Sequence, residues 1–172
     1  MQKDLFSGQI RYTIDMCSLL EMFRDGRKYP RGVFRSLFED VCNLVSGNII
    51  VSHIEVFNEI KNGSFGKTDE LYKWALNNKY AFKDYDMLDE PNIIKQMSSK
   101  YTEWVNDKLS STNADPWLIA QAKCNNWKII TEEGLTTGST PRKKIRIPDV
   151  CKDFGVKCIN LLELIIEQRW SY

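Results

Sequence analysis

Histidine is almost missing from this sequence: His53 is the only one in 172 residues. A zinc site built on imidazoles, or an acid–base relay run by histidine, has little to work with in such a chain. Paired cysteines are missing too. The five cysteines (Cys17, Cys42, Cys124, Cys151 and Cys158) are odd in number and none stands in a C-x-x-C spacing. They read as reduced, small apolar side chains rather than a disulfide framework or a thiolate metal knot. No apolar run nears the roughly 20 residues of a membrane helix, and the opening Met-Gln-Lys-Asp-Leu-Phe lacks the apolar core of a secretory leader. These absences lead to the expectation of an intracellular, cytoplasmic protein with no membrane partner. Any resident metal is expected to be a hard cation held by oxygen.

What is present is ordinary soluble composition, 42% hydrophobic and 27% charged, at a length that supports one domain with its own core. The net charge of +1 points to no class of partner, but its distribution does more. Arg24, Arg27, Lys28, Arg31 and Arg35 cluster against a single acid, Asp25, and the stretch 134–148 carries Arg142, Lys143, Lys144 and Arg146 with no acid at all. Such segments can hold a phosphate backbone. The plainer reading of each is a solvated loop.

Hydrophobic periodicity alternates strands with helices along the whole chain. The first strand spans 10–14 and ends at Asp15, and a short helix follows over 18–23. A second helix runs from Val33 to a stop at Gly47. A strand over 48–52 leads to a helix on which Ser52 and Glu55 form a capping box and His53 is a polar surface residue. Further helices are expected over 69–78 and from Pro91 to about Trp104 or Leu109, with a strand over 80–85 between them. Asp115 at a cap and Pro116 at the first helical position start a small-residue helix to Cys124. A strand over 127–131, a long Gly/Ser/Thr-rich and basic loop, a helix over 148–154 stopped by Gly155, a strand over 156–160 and a helix over 161–168 complete the chain. Alternation of this kind predicts a parallel sheet covered on both faces.

The acids fall at telling places in that scheme. Asp15 ends the first strand, Glu55 and Glu59 lie on the helix after the second, Asp115 begins a helix, and Glu132 and Glu133 follow the 127–131 strand. In a parallel sheet those strand ends share one edge. Carboxylates gathered there repel one another unless a cation is present, and three or four acids without histidine suit Mg²⁺ or Mn²⁺. Taken singly, Asp115 reads as a helix cap, Glu55 as a capping-box member, and the other glutamates as surface acids. A phosphatase with Asp15 as nucleophile is poorly supported, because Cys17 stands where such enzymes want a second aspartate.

Several motifs, in order, resemble the PIN-domain ribonucleases, and in particular an uncharacterised prokaryotic PIN-like branch of the DUF4411 type. They are Tyr12–Thr13–Ile14–Asp15–Met16–Cys17–Ser18–Leu19–Leu20, Val56–Phe57–Asn58–Glu59–Ile60, Ala114–Asp115–Pro116–Trp117–Leu118–Ile119–Ala120 and Ile129–Ile130–Thr131–Glu132–Glu133. Ile147–Pro148–Asp149–Val150–Cys151 and Cys158–Ile159–Asn160–Leu161–Leu162 resemble the tail of that branch. The resemblance implies one PIN-like domain over 1–172, a three-layer α/β/α sandwich with a central parallel sheet. It also implies Mg²⁺- or Mn²⁺-dependent cleavage of RNA by a metal-activated water, with Asp15, Glu59, Asp115 and Glu133 as the metal and catalytic acids. Many relatives are toxins neutralised by an antitoxin protein that plugs the active site, and many are homodimers. Two positions depart from the family pattern. Cys17 replaces a small hydroxyl or amide residue, with Ser18 adjacent, and the fourth acid is glutamate rather than aspartate. The competing expectation is a PIN-like scaffold that binds RNA or a protein without cutting, its acids paired with lysines or arginines.

Overall fold

The computed structural model describes residues 12–23, 28–63, 69–111, 113–136 and 145–172. Five short strands, β1 (Tyr12–Ile14), β2 (Ile50–His53), β3 (Phe82–Lys83), β4 (Lys128–Ile130) and β5 (Cys158–Ile159), form one sheet in the order β3-β2-β1-β4-β5. Every pairing is parallel. All residues of β1 and β2 are buried, as expected for strands covered on both faces. The covering helices among the described residues are α1 (Met16–Phe23), α2 (Arg35–Ser46), α3 (Ile54–Asn62), α4 (Glu70–Asn77), α5 (Glu90–Lys100), α6 (Thr102–Ser110), α7 (Asp115–Asn125), α8 (Ile147–Phe154) and α9 (Leu161–Gln168). The architecture is the predicted three-layer α/β/α sandwich.

The strand order fixes where a site can form. From β1 the chain steps outward through β2 to β3, and from β4 outward to β5, so the winding reverses between β1 and β4. Open α/β sheets bind ligands in the crevice beyond the carboxyl ends of strands at such a reversal. Ile14 lies in register with Ile130, which brings Asp15 and Thr131 side by side at that crevice.

Helix α7 is the central strut. Leu118, Ile119, Ala120, Gln121 and Ala122 are buried in succession, and the helix packs on β1, β2, β4, α5, α6 and α8. Alanines at 120 and 122 let its backbone approach the sheet closely. A buried polar tie locks it in place. Thr13 Oγ1 donates to Gln121 Oε1 (2.7 Å), Gln121 Nε2 donates to the Ser52 carbonyl (3.4 Å), and Ser52 Oγ donates to the Ile14 carbonyl (2.7 Å). Each polar atom taken from water here is satisfied, as burial demands.

That tie corrects one expectation: Ser52 serves the sheet and does not cap α3. The cap is His53, whose Nδ1 accepts from the Glu55 backbone N–H at 3.1 Å. His53 is also 0% exposed rather than a surface residue. With Nδ1 accepting, Nε2 carries the proton and donates to Glu90 Oε2 (3.2 Å), while the ring stacks on Trp117 and meets Tyr85 edge-on. The sequence offered no sign of Glu90, 37 residues on. The segment 80–85 is a 3₁₀ turn (Lys79–Ala81) followed by the two-residue β3, and the helix from Pro91 is broken at Tyr101 into α5 and α6. Asp115 is the first helical residue and Ala114 the cap, so the Asp115 carboxylate is not used for capping. Gly155 ends α8 as expected, at a φ of +66° that favours glycine.

Ile119→Ala removes a wholly buried side chain at the centre of this packing. It is expected to cost about 2–5 kcal/mol, read as a lowered urea midpoint with an unchanged slope. A loss below about 1 kcal/mol would mean that α7 is not the strut.

Candidate functional site

Asp15 leaves β1 at the reversal and is 3% exposed. Its Oδ1 accepts from the Ser18 backbone N–H at 2.7 Å, closing the first turn of α1. Its Oδ2 accepts from Thr131 Oγ1, and Thr131 Oγ1 in turn accepts from the Glu133 backbone N–H at 3.1 Å. Ser18 Oγ donates to the Ile130 carbonyl at 3.2 Å. Asp15 is thus fixed from both strands that flank the reversal. Burial pushes its carboxyl up to about 7, against the Thr131 and Ser18 hydrogen bonds, and the Asp115 charge adds to the rise.

Glu59 reaches the same crevice from the last turns of α3. Its Oε1 accepts from the Ala114 backbone N–H at 3.0 Å, at the start of α7. Burial raises it to about 7, and Asp115 and Asp15 push further in the same direction. Asp115 follows directly. It is raised by burial and by Glu133, and held back by Lys108, whose Nζ lies 2.6 Å from Asp115 Oδ2. Glu133, past the end of β4, accepts through Oε2 from the Ile147 backbone N–H at 3.0 Å, at the start of α8. Asp15, Glu59 and Glu133 therefore sit on backbone donors at three helix starts and on one threonine, and Asp115 on the Lys108 ammonium.

The charges of all four acids act on one neighbour. Cys17, exposed at its outer edge, has its thiol pushed up to about 12 by the protein around it, then by Asp15, Glu133, Asp115 and Glu59. The structure thus brings Asp15, Glu59, Asp115 and Glu133 into one electrostatic neighbourhood. Glu132 is not part of it: Oε1 accepts from the Leu161 N–H (2.8 Å) and Oε2 pairs with Lys28 (2.8 Å). Glu55 is taken up by Tyr85 and Asn58.

The basic segments fare unequally. Lys28, Arg31 and Arg35 are paired with Glu132, Glu70 and Glu39, while Arg24 and Arg27 lie outside the described residues. Arg142, Lys143 and Lys144 also lie outside them. Arg146 is exposed at the start of α8, one residue before the N–H that holds Glu133. Asp149 accepts from the backbone N–H groups of both Thr136 and Arg146, drawing the two ends of the basic loop to the site. Beside Glu133 opens a cavity of about 350 Å³ lined by Thr131, Leu135, Pro148, Lys152, Ile159 and Asn160 among others.

Two participants escaped the reading of the sequence. Thr131 had a signal, a hydroxyl at a strand end facing Asp15. Lys108 had none, because only the turn between α6 and α7 carries it to Asp115.

The donor set suits a hard divalent cation: all oxygen, desolvated, and repulsive enough to gain from one. A cation is already drawn to it in the form of the Lys108 ammonium. Among the described residues, however, no three His, Cys, Asp or Glu side chains stand close enough together to ligate one ion.

One protein family, described as a domain of unknown function (DUF4411), matches residues 12–172. No curated protein and no solved structure matches the chain.

Asp15 and Glu59 hold their protons more tightly folded than unfolded. Between about pH 4 and pH 7 these two groups therefore bind more protons in the folded chain than in the unfolded one, and their contribution to stability falls as pH rises through that window. In metal-free buffer, Asp15→Asn is expected to gain roughly 1–3 kcal/mol over the wild type at pH 8 relative to pH 5. Urea unfolding at the two pH values reads this. A difference between the proteins that is the same at both would contradict it.

Proposed function

The chain belongs to the DUF4411 family, and we propose that this member is a metal-dependent endoribonuclease of the PIN type. The observation that carries the reading is the gathering of Asp15, Glu59, Asp115 and Glu133 at the reversal of a parallel sheet, each held by a separate donor. Asp15, Glu59 and Asp115 would hold Mg²⁺ or Mn²⁺ directly or through water, with Glu133 completing the set. When bound, such an ion supplies Lewis acidity, making a water nucleophilic near neutral pH and offsetting charge on a phosphodiester. The chain's own part is to hold the carboxylates. Thr131 and Ser18 fix the rotamer of Asp15, and the starts of α7 and α8 fix Glu59 and Glu133.

The same reading gives the neighbouring features a use. Arg146, with Arg142, Lys143 and Lys144, would grip the phosphates of an RNA strand. The cavity beside Glu133 has room for a nucleotide next to the scissile bond. Three further proposals rest on the likeness to PIN toxins alone: work in the cytoplasm as the toxin of a toxin–antitoxin pair, an antitoxin that covers the acids, and a homodimeric assembly. Membrane association gains no support, since among the described residues no helix is long and apolar enough to cross a bilayer.

A second reading, a PIN-like scaffold that binds RNA or protein without cutting, is favoured by the Lys108–Asp115 ion pair. Cleavage of RNA by purified protein in Mn²⁺ separates the two. The nuclease reading expects a folded Asp15→Asn variant to lose at least about 100-fold in rate, about 2.7 kcal/mol of barrier. Equal rates would remove the site assignment, and RNA binding with no cleavage by the wild type would favour the scaffold.

A further inference from the structure

Lys108 already places a positive charge among these acids. It lies in the last turn of α6, and its Nζ sits 2.6 Å from Asp115 Oδ2, with the two side chains 27% and 15% exposed. Trp104 borders the ammonium, its ring centre 5.9 Å away. Glu133 and Glu59 act on the same charge. The contact is therefore not a surface ion pair of the kind that contributes little. It is a half-buried cation paired with Asp115, in the field of Glu133 and Glu59.

We propose that Lys108 is the resident counter-ion of the metal-free site, standing in the cation's place on Asp115, and that a divalent ion enters only as Lys108 withdraws. The inference rests on the reading of the acids as a divalent-cation centre. Its ground is geometric. A metal ligated by Asp115 would lie about 2.1 Å from the oxygen that Lys108 already holds at 2.6 Å. Two cations sharing that carboxylate would stand close enough to repel, which favours withdrawal of the ammonium as the metal enters. An ammonium donates single hydrogen bonds and gathers no coordination sphere. Lysine suits the role where arginine would not. Its flexible stem and point charge can swing out toward solvent, whereas a guanidinium fork would stay locked on the carboxylate. The exchange lowers metal affinity and keeps the acids from repelling each other open while no metal is present.

Titration calorimetry with MnCl₂ on the full chain tests this, using wild type, Lys108→Met, Lys108→Gln and Asp15→Asn. Both neutral Lys108 variants are expected to bind Mn²⁺ about tenfold tighter than wild type, equivalent to about 1.4 kcal/mol, and Asp15→Asn weaker. A purely structural role for Lys108 would weaken binding instead. If wild type binds saturably, Asp15→Asn weakens binding, and neither neutral variant binds tighter, the counter-ion role is overturned while the metal centre stands. If no protein binds Mn²⁺, the metal centre falls and the counter-ion with it. A measurement on the unaltered chain covers the case in which the variants do not fold. Acetylation of Lys108, followed by mass spectrometry, is expected to be slow in metal-free buffer and several-fold faster in saturating Mn²⁺. An unchanged rate in a chain that binds Mn²⁺ overturns the role.

Discussion

Carboxylates held out of water, with their mutual repulsion added to the cost of burial, are the constraint on which the working end of this protein depends. Asp15 and Glu59 are buried far enough that their carboxyls rise to about 7, and burial raises Asp115 as well. A fold that gathers such groups must answer each with a donor or a cation. Here the donors are the Thr131 hydroxyl, the backbone N–H groups of Ser18, Ala114 and Ile147, and the cation is Lys108. The order of the strands, the placement of α7 and the meeting of the basic loop's two ends at Asp149 serve the positions of those donors.

The same constraint ties the site to the core. Ala114 and Asp115 are placed by α7, and α7 is held by apolar burial along its length and by the Thr13–Gln121–Ser52 tie to β1 and β2. A change that lets α7 slide would move the donor of Glu59 and the carboxylate of Asp115 together. Stability of the strut and geometry of the acids are therefore coupled in this chain.

Much of this was legible in the sequence because it is local. A β-branched run ending in Asp15, a Pro116 one step into a helix and Gly155 at a left-handed stop each announce themselves within a few residues. Their alternation was enough to predict a parallel sheet between two helical layers. What stayed hidden depends on contacts between residues far apart in the chain. His53 looked like a surface residue because Glu90, Trp117 and Tyr85 surround it only in the fold. Ser52 looked like a cap because its real acceptor, the Ile14 carbonyl, is on another strand. Lys108 is an ordinary lysine near a helix end until α6 and α7 pack. The helix break at Tyr101 has no proline or glycine beside it to announce it.

The central claim is that these carboxylates form one coupled site whose favoured occupant is a divalent cation. Proton release on Mn²⁺ binding tests it most directly, by calorimetry at pH 6 in two buffers of different ionisation enthalpy. Because Asp15 and Glu59 titrate near 7 in the folded chain, binding is expected to release about one to two protons at pH 6 and close to none at pH 8.5. Saturable Mn²⁺ binding with no proton release at pH 6, or no binding at either pH, would contradict the account.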